Sequence, residues 1–177
     1  MWLVYALIGV FGLFVLMVVW GIVRLRRGFR QASTEICSIE LSEIEGLTRE
    51  CTEVFSQKLG TSLDIGDWEN AAKALDDAFK NKSKLELAFS RPEFRWYFVK
   101  PVGAFFGELL RRHANHEWQT EENAAPSMVR MLDDGSFQAF PFEKILKQYT
   151  TGDHGDLLAF VMFARTADLA AAQLPPS

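Results

Sequence analysis

The first apolar stretch of the chain is unusually long, because Trp2–Val23 contains no charged residue. As a helix rising about 1.5 Å per residue it measures roughly 33 Å, and the hydrocarbon core of a bilayer is about 30 Å thick. No Lys or Arg precedes this stretch, which argues against a cleaved signal peptide. The pattern therefore predicts an uncleaved transmembrane anchor over residues 1–23.

Four arginines follow the apolar stretch, and residues 1–30 contain no acid. Positive residues beside a span remain on the cytoplasmic side. We therefore expect a single-pass protein of a bacterial inner membrane, with the N-terminus outside and the C-terminal domain cytoplasmic. The arginines are assigned to this topology, with contact to anionic lipid headgroups as the alternative role. They are Arg24, Arg26, Arg27 and Arg30.

Beyond a basic juxtamembrane linker over residues 24–37, apolar positions recur every three or four residues. This spacing predicts amphipathic helices. Pro101 allows either two helices or one kinked helix in the third region. Residues 81–90 are left open between a loop and a short helix. The predicted helices cover residues 38–59, 67–80, 93–113, 142–149 and 156–172.

Alternating polar and apolar positions predict three short strands over residues 116–120, 127–132 and 137–140, with a turn at the Asp-Asp-Gly-Ser of residues 133–136. Helices, then a hairpin, then helices indicate an α+β fold. The full prediction is an N-terminal transmembrane helix followed by a helical domain with a small three-stranded antiparallel sheet. One soluble domain covers residues 38–172, and residues 173–177 form a tail.

The charge balance narrows the class of partner. The chain has 19 basic and 23 acidic residues, and four of the basic ones lie in residues 1–30. Residues 31–177 therefore carry 15 basic against 23 acidic groups, which argues against a nucleic-acid-binding domain and favours a basic protein partner. Two cysteines exclude a disulfide-dense scaffold and a four-cysteine zinc site.

The most distinctive stretch is residues 101–112. Gly103 and Gly107 share a helix face, where they allow close packing. Glu108 faces Arg111 and Arg112 one turn later, so a local ion pair or a charged partner-binding groove beside Trp118 is expected. Aromatic residues cluster over residues 94–106, and the sequence leaves open whether this region is buried or forms an exposed patch.

Candidates for catalysis and metal binding are weak. His113 and His116 are three residues apart, but no further His or Cys lies nearby and the motif is not H-E-x-x-H. We assign no catalytic residue, metal or cofactor, and we expect no enzyme. A hydrolase that uses Glu108, His113, His116 or His154 is the second alternative function.

A Gly-x-x-x-Gly-Glu helix ending in Arg, a Trp-containing strand and the Phe140-Pro141-Phe142 helix start occur in this order. Over about residues 102–160 the chain resembles small bacterial domains of unknown function. The resemblance implies a compact helix–hairpin–helix module without catalytic residues. We expect a protein-binding domain, with an immunity protein against a toxin or secreted effector as the concrete hypothesis. The first alternative is an assembly subunit of an envelope or secretion complex.

Overall fold

The structure, a computed structural model, describes residues 2–91, 96–121, 124–132, 135–151 and 156–171. The α+β class is confirmed. A 3₁₀ turn precedes α2 at Leu41–Glu43, and a π-helical turn extends α2 at Phe55–Leu59. The helices and strands are α1 (Trp2–Cys37), α2 (Ile44–Val54), α3 (Trp68–Lys80), α4 (Lys82–Ala88), α5 (Val99–His113), β1 (Glu117–Gln119), β2 (Ser127–Leu132), β3 (Gly135–Ala139), α6 (Pro141–Thr151) and α7 (Asp156–Ala171).

The three strands form one antiparallel sheet in the order β1-β2-β3, as the alternating pattern predicts. Trp118 pairs with Met128, and Met128 pairs in turn with Ala139. Strand β3 begins at Gly135, inside the predicted turn. Residues 133–134 of that turn lie outside the described residues. Met128 and Ala139 are buried, so one face of the sheet belongs to the core.

Helix α5 is the centre of the domain and contacts α2 and α6 along its length. The adjacent Phe105 and Phe106 are both almost fully buried, so packing partners surround this helix on several sides. The described part of the aromatic region therefore belongs to the core. Pro101 lies in the first turn of α5, where a missing N–H costs nothing, so it does not interrupt the helix. Residues 92–95 lie outside the described residues.

The predicted transmembrane anchor over residues 1–23 is contradicted. Within the described part of the chain, no helix combines the length and apolar character that crossing a membrane requires. The helix that contains the apolar stretch does not end at the arginines, because α1 continues through them to Cys37. The predicted single-pass inner-membrane location is therefore wrong.

The predicted linker over residues 24–37 forms the last part of α1, which packs on the domain. Ala32 and Ile36 are buried, and the Glu35 carboxylate pairs with Lys100 of α5 at 2.9 Å. A Cβ built on Gly28 would lie 3.2 Å from the Trp96 ring. Side chains of Arg26, Arg27 and Arg30 are exposed, and that of Arg24 lies outside the description.

Helix α7 begins against a buried carboxylate of α3. The side chain of Asp76 accepts hydrogen bonds from the backbone N–H groups of Leu157 and Leu158, both at 3.2 Å. The Gln148 side chain of α6 donates to the same carboxylate at 3.0 Å. Asp76 thus joins three helices and satisfies N–H groups that a helix start leaves without intrahelical partners.

Candidate binding groove between α2 and α5

The two glycines of α5 lie directly beneath large side chains. A Cβ on Gly103 would lie 2.4 Å from the Phe142 ring. A Cβ on Gly107 would lie 2.2 Å from two ring carbons of Trp118. Real Cβ contacts are not this short, so only glycine allows α6 and the Trp118 ring to approach α5 so closely.

Two contacts with α5 fix the position of the Trp118 indole ring. Its ring covers Gly107, and its indole Nε1–H donates to the Glu108 carboxylate at 2.8 Å. Arg111 binds the same carboxylate through Nε at 2.9 and 3.0 Å and through Nη2 at 2.8 Å. The structure therefore brings Glu108, Arg111 and Trp118 of the predicted site into one hydrogen-bonded cluster.

The Glu108 carboxyl is held in its ionised form. Desolvation by itself would raise its pKa, but the hydrogen bonds from Arg111 and Trp118 and the charges of Arg111 and Arg112 outweigh it. The net result is a Glu108 pKa below the usual value. The Glu108 side chain is mostly buried, whereas that of Arg111 is about half exposed. Such a group accepts hydrogen bonds and does not serve as a proton donor near neutral pH.

This cluster forms one wall of a groove of about 530 Å³ between α2 and α5. Arg112, the fourth predicted residue, also lines the groove. Arg112 has no ion-pair partner within 4.0 Å among the described residues. The buried side chains of Ile44, Leu63 and Phe105 form an apolar floor. The groove therefore combines a fixed charged wall with an apolar base.

The groove is also lined by acidic residues that the sequence did not point to. Glu45 of α2 and Asp64 of the following loop both line the groove. The Glu45 side chain is 93% exposed, and its nearest cation, Arg49, is 3.9 Å away. One Asp64 oxygen accepts the Gly66 N–H at 2.8 Å. The helical pattern marks Glu45 as solvent-facing, but only the packing of α2 on α5 places it on the lining of the same groove as Trp118.

The histidines of the alternative hydrolase have structural partners. His113 Nε2 lies 2.7 Å from the Ile65 carbonyl, and His116 Nδ1 lies 2.7 Å from the Ala114 carbonyl. Helix α5 ends at His113, and Asn115 turns the chain with a φ of 50°. The two histidines therefore do not share a helix face. Over the described residues no group of three His, Cys, Asp or Glu is placed to hold a metal ion. His154 lies outside those residues.

Comparisons with protein-family models, with curated proteins and with solved structures give no match for this chain. The resemblance over residues 102–160 therefore stays a prediction.

Proposed function

We propose that this chain is a non-catalytic protein-binding module, and that its partner binds in the groove between α2 and α5. The observation that carries the proposal is that Arg111 and Trp118 both donate hydrogen bonds to the Glu108 carboxylate, which lines an open groove. These contacts stiffen the wall before any partner arrives. A preformed wall lowers the entropy cost of association.

Binding explains this arrangement better than hydrolysis does. A general acid near neutral pH needs a raised pKa, whereas the pKa of Glu108 is lowered. His113 is engaged by the Ile65 carbonyl, and its ring lies half-buried at the end of α5. Glu108 therefore does not act as a general acid there, and the His113 ring nitrogen is already engaged by a backbone carbonyl.

The partner that this groove favours is basic. Glu45 and Asp64 present carboxylates on the α2 side, and the chain carries a net charge of −4. Complementary charge accelerates encounter and sets the register of a complex, and it does so less at high salt. The apolar floor supplies the desolvated centre that a specific interface needs.

The biological role that we propose is capture of a toxin or secreted effector, as in immunity proteins. Its support is the small acidic domain with a preformed groove. It predicts that a neighbouring gene encodes a basic polypeptide whose activity this chain suppresses. Recovery of a secretion-complex subunit with the same groove dependence would replace capture by assembly.

The test is a binding titration between the full chain and the basic polypeptides encoded beside its gene. Glu45→Lys combined with Asp64→Lys should weaken binding by about tenfold or more, because two attractive contacts become repulsive. The matched control is Glu53→Lys combined with Glu69→Lys, which reverses two exposed charges outside the groove and changes the net charge by the same amount. Equal effects of the groove and control variants would refute the assignment of the groove.

A further inference from the structure

A second cavity, of about 430 Å³, lies between α3, α4 and the π-helical turn Phe55–Leu59. It shares no lining residue with the groove between α2 and α5. Its volume falls within the range typical of small-molecule sites, about 300–1,000 Å³. Single π-helical turns occur frequently at functional sites. The turn ends at Gly60 in the left-handed conformation, with a φ of 72°.

The base of this cavity is apolar. Phe55 of the π-helical turn and Leu85 of α4 line it and are almost fully buried. Leu59, Ala74 and Ala78 line it as partly buried residues packed against the same core. A ligand that fills this base must therefore carry an apolar body, because polar groups there would lose their hydrogen bonds to water.

The rim of the cavity presents donors and an excess of positive charge. Lys73 and Lys84 line it, and neither has a carboxylate within 4.0 Å in the described part of the chain. The Lys84 ammonium makes one long hydrogen bond, 3.4 Å, to the Leu59 carbonyl. The one lining carboxylate, Asp77, is paired with Lys80, whose hydrogen bond and charge lower the Asp77 pKa.

Two neutral polar side chains also line the cavity. Asn81 uses its side-chain oxygen to accept the Lys84 backbone N–H at 3.1 Å, which orients its amide hydrogens away from that bond. Thr61 adds a hydroxyl to the lining. Two ammonium groups, an amide and a hydroxyl around an apolar base match a single negative charge on an apolar body.

We propose that this cavity binds a small monocarboxylate with an apolar body, its carboxylate between Lys73 and Lys84. A carboxylate suits the rim better than a phosphate because Lys73, Lys84 and Asp77 together give the lining one net positive charge (two cations minus one anion), which a monoanion balances and a dianion would exceed. The assignment is independent of the protein-binding groove, because the two sites share no residue.

The test measures the binding of 4-phenylbutyrate to the full chain by titration calorimetry. We expect the acid to bind at least about tenfold more tightly than 4-phenylbutyramide, which has the same body without the charge. Lys73→Ala and Lys84→Ala should each weaken binding about fivefold, the order expected for one charge-assisted contact at a partly open site. Lys147→Ala is the control, an exposed lysine of α6 outside the cavity.

Four results would overturn the proposal. The first three are no binding of the acid up to its solubility limit, equal binding of the acid and the amide, and equal effects of the three lysine variants. Tighter binding of phenyl phosphate than of phenylbutyrate would also overturn it, because it would identify a dianion site. Far-ultraviolet circular dichroism of each variant separates a lost contact from a lost fold, since all three lysines are exposed.

Discussion

Asp76 offers the sharpest test of the fold, because its neighbour Asp77 is a matched control on the same helix. Asp76 is 9% exposed and accepts hydrogen bonds from Gln148 and from the first backbone N–H groups of α7. Asp77 is exposed, and among the described residues its one ion pair within 4.0 Å is with Lys80, one turn later. We expect Asp76→Ala to destabilise the protein strongly and Asp77→Ala to change its stability little.

The magnitude for Asp76 follows from the contacts that are lost. Removing a side chain that caps a helix costs about 1–2 kcal/mol. Leaving the buried Gln148 amide without its charged acceptor costs about 1.5–3 kcal/mol. Because the two contributions share one carboxylate and are not additive, we expect a loss of about 2–4 kcal/mol for Asp76→Ala.

The assay is urea unfolding at neutral pH, followed by circular dichroism. Asp76→Ala should lower the midpoint while the slope with denaturant stays the same, since the surface exposed on unfolding is unchanged. Hydrogen exchange of the Leu157 and Leu158 amides should accelerate in this variant, because both lose their acceptor. A loss below about 1 kcal/mol, or equal losses for both aspartates, would refute the interhelical cap.

Three further predictions concern the groove and the core. Gly107→Ala should lower the unfolding free energy by about 1–3 kcal/mol and shift the Trp118 fluorescence, because the added Cβ overlaps the ring. The control is Gly46→Ala, whose Cβ meets nothing within 4 Å and which should stabilise α2 by about 0.5–1 kcal/mol. An unchanged Trp118 spectrum in the first variant would contradict the packing. The Glu108→Gln variant should be less stable than the parent at neutral pH. The difference in unfolding free energy should shrink as the pH falls through and below 4.5, because a carboxyl whose pKa is lowered in the folded state loses its stabilising effect when it is protonated. A constant difference would show that its charge is not involved. Burial and the hydrogen bond to Glu50 raise the pKa of Tyr97 from 10.0 to about 12. The protonated Tyr97 hydroxyl therefore contributes fully to the unfolding free energy below pH 10, and this contribution is lost as the pH rises to about 12. Tyr97→Phe should abolish the absorbance change of this late titration, and persistence of that change would assign it to another tyrosine.

The local pattern predicted most of the elements. The Asp67 start of α3 is confirmed, with its carboxylate accepting the Asn70 N–H at 3.3 Å. The strand pattern predicted the three strands, and the open region at residues 81–90 contains the short helix α4. These succeed because caps and side-chain periodicity are properties of neighbours in sequence.

The prediction over α1 failed for a physical reason that local pattern does not contain. The arginines after Val23 were interpreted as the end of a membrane segment, but the helix continues beyond them and its last turns pack on α5 and α6. Whether Ala32 and Ile36 face solvent or core depends on surfaces far away in sequence. Charge near a helix therefore did not determine where the helix ends.

The sequence likewise predicted only part of the candidate site. The spacing of Glu108, Arg111 and Arg112 predicted an ion pair, and the two glycines predicted a close approach. The contact between Glu108 and Trp118 spans the end of α5 and the start of β1, and the acidic lining residues come from α2 and its following loop. No periodicity encodes which helix faces which.

The sequence by itself determined most of the helices, the three strands, the acidic balance and the close packing at Gly103 and Gly107. Tertiary structure alone decided that α1 packs on the domain, that Asp76 caps α7 across 81 positions, and that Glu45 and Asp64 line the same groove as Trp118. The physical reason is the range of the interactions. Propensity, capping and periodicity act over a few residues, whereas burial and the partners of a buried charge depend on which distant surfaces meet.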